Sequence, residues 1–106
     1  MSDAKGYVRA YVFAGTIDEA QERARPLVAL LSQSAQVRNL RLQRYWKIPE
    51  YWEVVCDLDA FDLAALSMLL AADWSVAKEH EAIWDHRLSG PFAVAGVAWA
   101  HLERLD

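Results

Sequence analysis

The chain has 106 residues, of which 55% are hydrophobic and 25% charged, with four glycines, three prolines and a formal net charge of −4. That length and mixture fit one globular domain over 1–106 and exclude collagen-like, low-complexity and wholly disordered classes. The longest apolar run, residues 63–72, is too short for a bilayer and contains Ser67, so no membrane role is expected.

The start, residues 1–5, is polar and residues 6–14 are interrupted by Arg9, so no signal peptide is expected and a cytoplasmic, soluble protein is the default. The single Cys56 has no partner for an internal disulfide, which suits a reducing compartment. Five tryptophans (Trp46, Trp52, Trp74, Trp84, Trp99) supply much of the apolar surface that so small a chain must bury.

Residues 6–14 alternate Tyr7, Arg9, Tyr11 and Phe13 with Val8, Ala10, Val12 and Ala14. This reads as a strand, and the apolar content of both sets predicts a central one buried on two faces. After Gly15, the run Thr16-Ile17-Asp18-Glu19 is a capping box, with Glu19 reaching back toward the cap. A helix should follow to about Gln33, carrying Ile17, Ala20, Ala24, Leu27 and Leu31 on one stripe and kinked or broken at Pro26.

Residues 37–47 are the second strand, with Leu40, Leu42 and Trp46 on one side. A turn at Ile48-Pro49-Glu50 leads to a third strand, residues 51–58, with Trp52, Val54, Cys56 and Leu58 inward and Glu53 and Asp57 outward. So short a connection makes the two strands an antiparallel hairpin. Asp59 is the expected N-cap of a second helix over residues 60–72. Residues 75–87 fit either a period of two or a short helix; a strand over 81–87 is preferred beside the turn at Ser89-Gly90-Pro91. Residues 96–105 form the last strand.

The predicted class is therefore α+β: a ferredoxin-like β-α-β-β-α-β antiparallel sheet with two helices on one face and an extra C-terminal strand.

Charge is unevenly spread. Through Lys47 there are eight Lys/Arg and four acids, a balance of +4; beyond it there are three and eleven, a balance of −8. Acids interleaved with aromatics, at Glu50-Tyr51-Trp52-Glu53 and along residues 79–85, suit a surface that docks a basic protein. The expected partner-binding residues are Glu50, Trp52, Glu53, Glu79, Glu81, Trp84 and Asp85.

No catalytic signature stands out. His80, His86 and His101, with Glu79, Glu81 and Asp85 nearby, lack a recognised metal-ligand spacing, so no metal and no cofactor is expected. Cys56 lies in an apolar strand face without adjacent positive charge and reads as structural. Nucleophile-elbow, phosphate-loop and dinucleotide motifs are absent. The basic-aromatic run of residues 38–47 could contact nucleic acid, and the topology resembles the RNA-recognition motif. The third-strand segment Glu50-Tyr51-Trp52-Glu53-Val54-Val55 lacks that family's basic-Gly-aromatic signature, and its acids would repel phosphates. The topology also resembles acylphosphatases, but only Gly15-Thr16 follows the first strand, where those enzymes carry their phosphate loop.

In size, acidity and tryptophan content the chain is similar to immunity proteins of bacterial toxin–immunity pairs, including contact-dependent inhibition systems. The resemblance is compositional and rests on residues 50–53, 73–74, 79–85 and 99–103. It implies a role in neutralising a cognate toxin, often a nuclease, by occluding its active site or an exosite. The alternative is a dimeric α+β barrel that binds or converts a small molecule, with Tyr7, Tyr11, Trp46 or Trp52 lining the pocket. A regulatory homodimer without a ligand is a third possibility.

Overall fold

The computed structural model describes residues 5–105; the polar N-terminal start and Asp106 lie outside the described residues. In chain order the elements are β1 (Lys5–Phe13), α1 (Ile17–Leu31), β2 (Gln36–Arg44), β3 (Tyr51–Asp59), α2 (Leu63–Leu70), β4 (Val76–Ala77), β5 (Glu81–Asp85) and β6 (Val97–Arg104). The strands form one open antiparallel sheet in the order β2-β3-β1-β6-β5-β4. Among the described residues no helix is long and apolar enough to cross a membrane.

Strand alternation sorts the side chains. Val8, Ala10 and Val12 of β1, Trp52, Val54, Cys56 and Leu58 of β3, and Ala100 and Leu102 of β6 are buried. They join Ala20, Ala24, Leu27 and Leu31 of α1 and Leu63, Leu66 and Leu70 of α2 in one apolar core. The inward set expected for β3 is the one observed. β1 is central, as its sequence implies, but only one of its faces is fully buried. Tyr7, Arg9 and Tyr11 on the other face are half-buried, and Phe13 is exposed.

The capping box forms with one change of partner. The Glu19 backbone N–H donates to Thr16 Oγ1 at 3.2 Å, while the Glu19 carboxylate accepts from the Gly15 N–H at 3.3 Å rather than from the cap itself. Pro26 does not break α1, which runs through it to Leu31. The proline and Glu22, whose carbonyl loses its donor, are both exposed, so water can satisfy the freed group.

β2 ends at Arg44, short of the expected Lys47, and its alternation is interrupted. Asn39 has φ +54° and the register with β3 shifts between Arg38 and Arg41. This bulge turns Leu42 toward the core but leaves Leu40 exposed, and Trp46, beyond the strand, is 80% exposed. The expected side shared by Leu40, Leu42 and Trp46 therefore does not exist.

Asp59 does not cap the second helix. It continues β3, Ala60 turns the chain at φ +52°, and Asp62 caps a shorter α2 by accepting from the Ala65 N–H at 3.2 Å. At the other end, Trp74 Nε1–H donates to the Ala71 carbonyl (2.9 Å) and to the Ser67 carbonyl (3.1 Å), which also accepts the Ala71 N–H, and so ties the chain beyond α2 back to its last turn.

Residues 75–87 hold two strands and no helix, and the strand expected over 81–87 ends at Asp85, where a turn begins. β5 pairs with both β4 and β6, and its alternation of buried Ala82 and Trp84 with half-buried Glu81, Ile83 and Asp85 has a period of two. The C-terminal strand is not an addition at the margin. β6 lies inside the sheet against β1, and the β4–β5 hairpin extends the edge beyond it.

Candidate functional site

The face opposite the buried strand residues carries an ordered set of polar and aromatic side chains. Register places them in rows across β3, β1, β6 and β5: Glu53–Tyr11–Trp99–Asp85, then Val55–Arg9–His101–Ile83, then Asp57–Tyr7–Glu103–Glu81.

The first row is an aromatic stack. Tyr11 lies between Tyr45 (ring centroids 4.5 Å apart, 22° between planes) and Trp99 (5.1 Å, 23°), with Tyr51 alongside at 6.2 Å. Phe13 meets Tyr51 and His86 edge-on, at 4.9 and 5.5 Å. Tyr11, Tyr45, Tyr51, His86 and Trp99, with Ile48 and Arg87, border a cavity of about 200 Å³. The third row is polar: the Tyr7 hydroxyl donates to Glu103, and a Glu81 carboxylate oxygen lies 3.0 Å from Nε2 of His101 in the second row.

The charge asymmetry of the sequence is largely absorbed by strand pairing. Basic β2 lies against acidic β3, so Arg38 binds Asp59 and Arg41 binds Asp57 at 3.2 Å, with Asn39 on the same carboxylate at 2.8 Å. The Asn39 hydrogen bond, then Arg41, hold the Asp57 carboxyl below the usual range. Glu53 accepts from Gln43 at 2.9 Å and lies 3.8 Å from Arg9. Asp85 is bound by the guanidinium and backbone N–H of Arg87, which lower its pKa. Exposed pairs of this kind contribute little stability. Their effect is to fix the face and to shift its uneven charge toward the β5–β6 corner.

Of the seven residues expected at a partner surface, three acids, Glu53, Glu81 and Asp85, share this face. Glu50 and Glu79 are exposed in separate turns. Trp52 and Trp84 are core residues, 8% and 4% exposed, on the other side of the sheet from those acids. Trp84 packs on Phe92 at 4.7 Å and donates to the Gly90 carbonyl at 2.9 Å. The aromatics that do accompany the acids are Tyr7, Tyr11, Tyr45, Tyr51 and Trp99. The signal that could have found four of them was alternation: Tyr7, Tyr11, Tyr51 and Trp99 occupy odd positions in their strands, where their neighbours are apolar core residues.

Burial raises the hydroxyls of Tyr7 and Tyr11 to about 12, aided by hydrogen bonds to Glu103 and Tyr45 respectively, and raises the Cys56 thiol to about 11. The folded chain thus favours the protonated form of all three groups. Their contribution is fully present below the ordinary values of 9 for the thiol and 10 for the hydroxyls, and is lost as pH rises through 11 and 12. Urea-unfolding midpoints should hold steady near pH 8 and fall progressively above about pH 9–10, less steeply in Tyr7→Phe. A midpoint unchanged up to pH 11.5 would contradict this account.

Compared with protein-family models, curated proteins and solved structures, the chain matches none of them.

Proposed function

We propose that this chain is a protein-binding module that engages its partner through the polar-aromatic face of the sheet, in the manner of an immunity protein that occludes a bacterial toxin. The order β2-β3-β1-β6 supports a ferredoxin-like framework, with both helices on the other face and the β4–β5 hairpin as an edge extension. The observation that carries the reading is the Tyr45–Tyr11–Trp99 stack, half-buried and flanked by Glu53 and Asp85. Stacked rings present a large contact area at little entropic cost, and tyrosine and tryptophan dominate the residues that carry binding energy at interfaces. The acids around them would steer a basic partner and exclude like-charged ones.

The test uses the purified product of the adjacent gene, since immunity genes adjoin toxin genes. Titration calorimetry should give tight one-to-one binding, with association slowed by salt. Trp99→Ala and Asp85→Ala should each weaken it at least tenfold, while Glu50→Ala changes little. Binding that ignores both substitutions would place the site elsewhere, and absence of binding would remove the neighbour as partner.

A second reading, the dimeric barrel around a small molecule, is favoured by the cavity beside Tyr11, Tyr51, His86 and Trp99. At about 200 Å³ it is below the usual range for a ligand pocket, so a second copy would have to close over it. A chain that stays monomeric at high concentration in light scattering eliminates that arrangement.

A further inference from the structure

The third row of the face concentrates ligand-forming groups at one point. Register sets Glu81 of β5 directly opposite Glu103 of β6, and like charges so placed repel. Beside them is the imidazole of His101, with Nε2 3.0 Å from one oxygen of Glu81 and 4.0 Å from one of Glu103. One donor atom from each of the three residues lies within 4.8 Å of the others, and all three side chains are partly shielded from water.

The group is held in place from outside. The Tyr7 hydroxyl donates to Glu103, orienting that carboxylate. The His101 ring is fixed edge-on against Tyr7 at 5.7 Å and tilted against Trp99 at 5.8 Å. All of these residues sit on paired strands, so little freedom must be lost to assemble them. A hydrogen-bonded outer residue on a carboxylate ligand and a packed imidazole are the supports that metal sites use.

We propose that Glu81, His101 and Glu103 form a binding site for a divalent transition-metal ion of the zinc or manganese class. Two carboxylates neutralise a 2+ charge, and one imidazole nitrogen with two carboxylate oxygens suits such ions better than calcium or copper(I). Bond lengths of about 2.0–2.2 Å place neighbouring ligands roughly 2.8–3.6 Å apart. The Glu81–His101 pair already meets that separation, and Glu103 would have to close by roughly half an ångström on His101 and by up to about 1.2 Å on Glu81, through its side-chain torsions. Three protein ligands leave coordination positions for water or for a group brought by another molecule. The metal reading does not depend on the identity of any protein partner.

The test is titration of the chelator-treated full chain with zinc and manganese salts by calorimetry, with visible absorption of the cobalt(II) form as a signature of the ligand set. One equivalent should bind per chain, as one ligand set predicts. Glu81→Gln and His101→Gln should each lower affinity at least tenfold. Tyr7→Phe should lower it about tenfold with the stoichiometry kept, as expected of an outer support. His80→Asn and His86→Asn should leave it unchanged. Should His101→Gln fail to fold, Glu81→Gln on the edge hairpin decides the matter. Absence of saturable binding by zinc and manganese overturns the proposal, as does binding that survives Glu81→Gln or that is lost with His80 or His86.

Discussion

Replacing Gly6 by alanine is expected to destabilise the protein by about 3 kcal/mol or more, at the upper end of what overpacking costs. A Cβ at this position would lie 2.0 Å from the backbone carbonyl oxygen of Glu103 and 2.8 Å from the ring of Phe61. The carbonyl belongs to β6, which pairs with β1 here through Gly6 opposite Arg104, so it cannot move without opening the sheet between two central strands. Phe61 is buried and cannot swing aside without leaving a void. Gly15→Ala is the control, because its Cβ would meet only the Glu19 carboxylate, at 3.8 Å. Urea denaturation of the two variants should separate them clearly; a Gly6→Ala midpoint equal to that of the native chain would refute the packing described for this corner.

The second large effect is expected for Trp84→Ala. The residue is buried, packs on Phe92 and uses its Nε1–H on the Gly90 carbonyl, so truncation removes apolar burial, leaves a cavity and strands an acceptor. Losses of about 3–5 kcal/mol are usual for such a change. That is a large part of the roughly 5–15 kcal/mol by which a domain is stable. Trp46→Ala, at a site 80% exposed, should cost less than about 0.5 kcal/mol. Trp99→Ala should instead act mainly on partner binding. Thermal melts of the three variants, read beside the binding titrations, test whether the tryptophans divide into core and face as placed here. Comparable destabilisation at Trp46 and Trp84 would rule that division out.

The same tryptophans show where local sequence is a poor guide to function. In residues 50–53 and 79–85, acids and aromatics alternate, and adjacency suggests that Trp52 and Trp84 share a surface with Glu53 and Asp85. Alternation in a strand means the opposite: neighbours in sequence point to opposite faces. The charge pattern behaves similarly. Eight basic residues in the first part and eleven acids in the second suggest a negative surface. Antiparallel pairing of β2 with β3 then sets Arg38 and Arg41 against Asp59 and Asp57 and cancels much of it. The spacing of His101 from the other histidines argues against a metal site, whereas its neighbours in space are Glu81, on another strand, and Glu103, two residues along its own.

By itself the sequence determined the types of the long elements outside residues 75–87, the α+β class, the inward set of β3 and the Thr16–Glu19 cap. Those features depend on side-chain periodicity and on contacts a few residues apart. The tertiary structure alone decided that β6 lies beside β1, that a bulge at Asn39 interrupts β2, and that α2 is capped by Asp62 rather than by Asp59. It alone also assembled Tyr11 with Trp99, and Glu81 with Glu103. Each of these depends on the register between strands far apart in the chain, which is set by the joint burial of one sheet face and which no local pattern encodes.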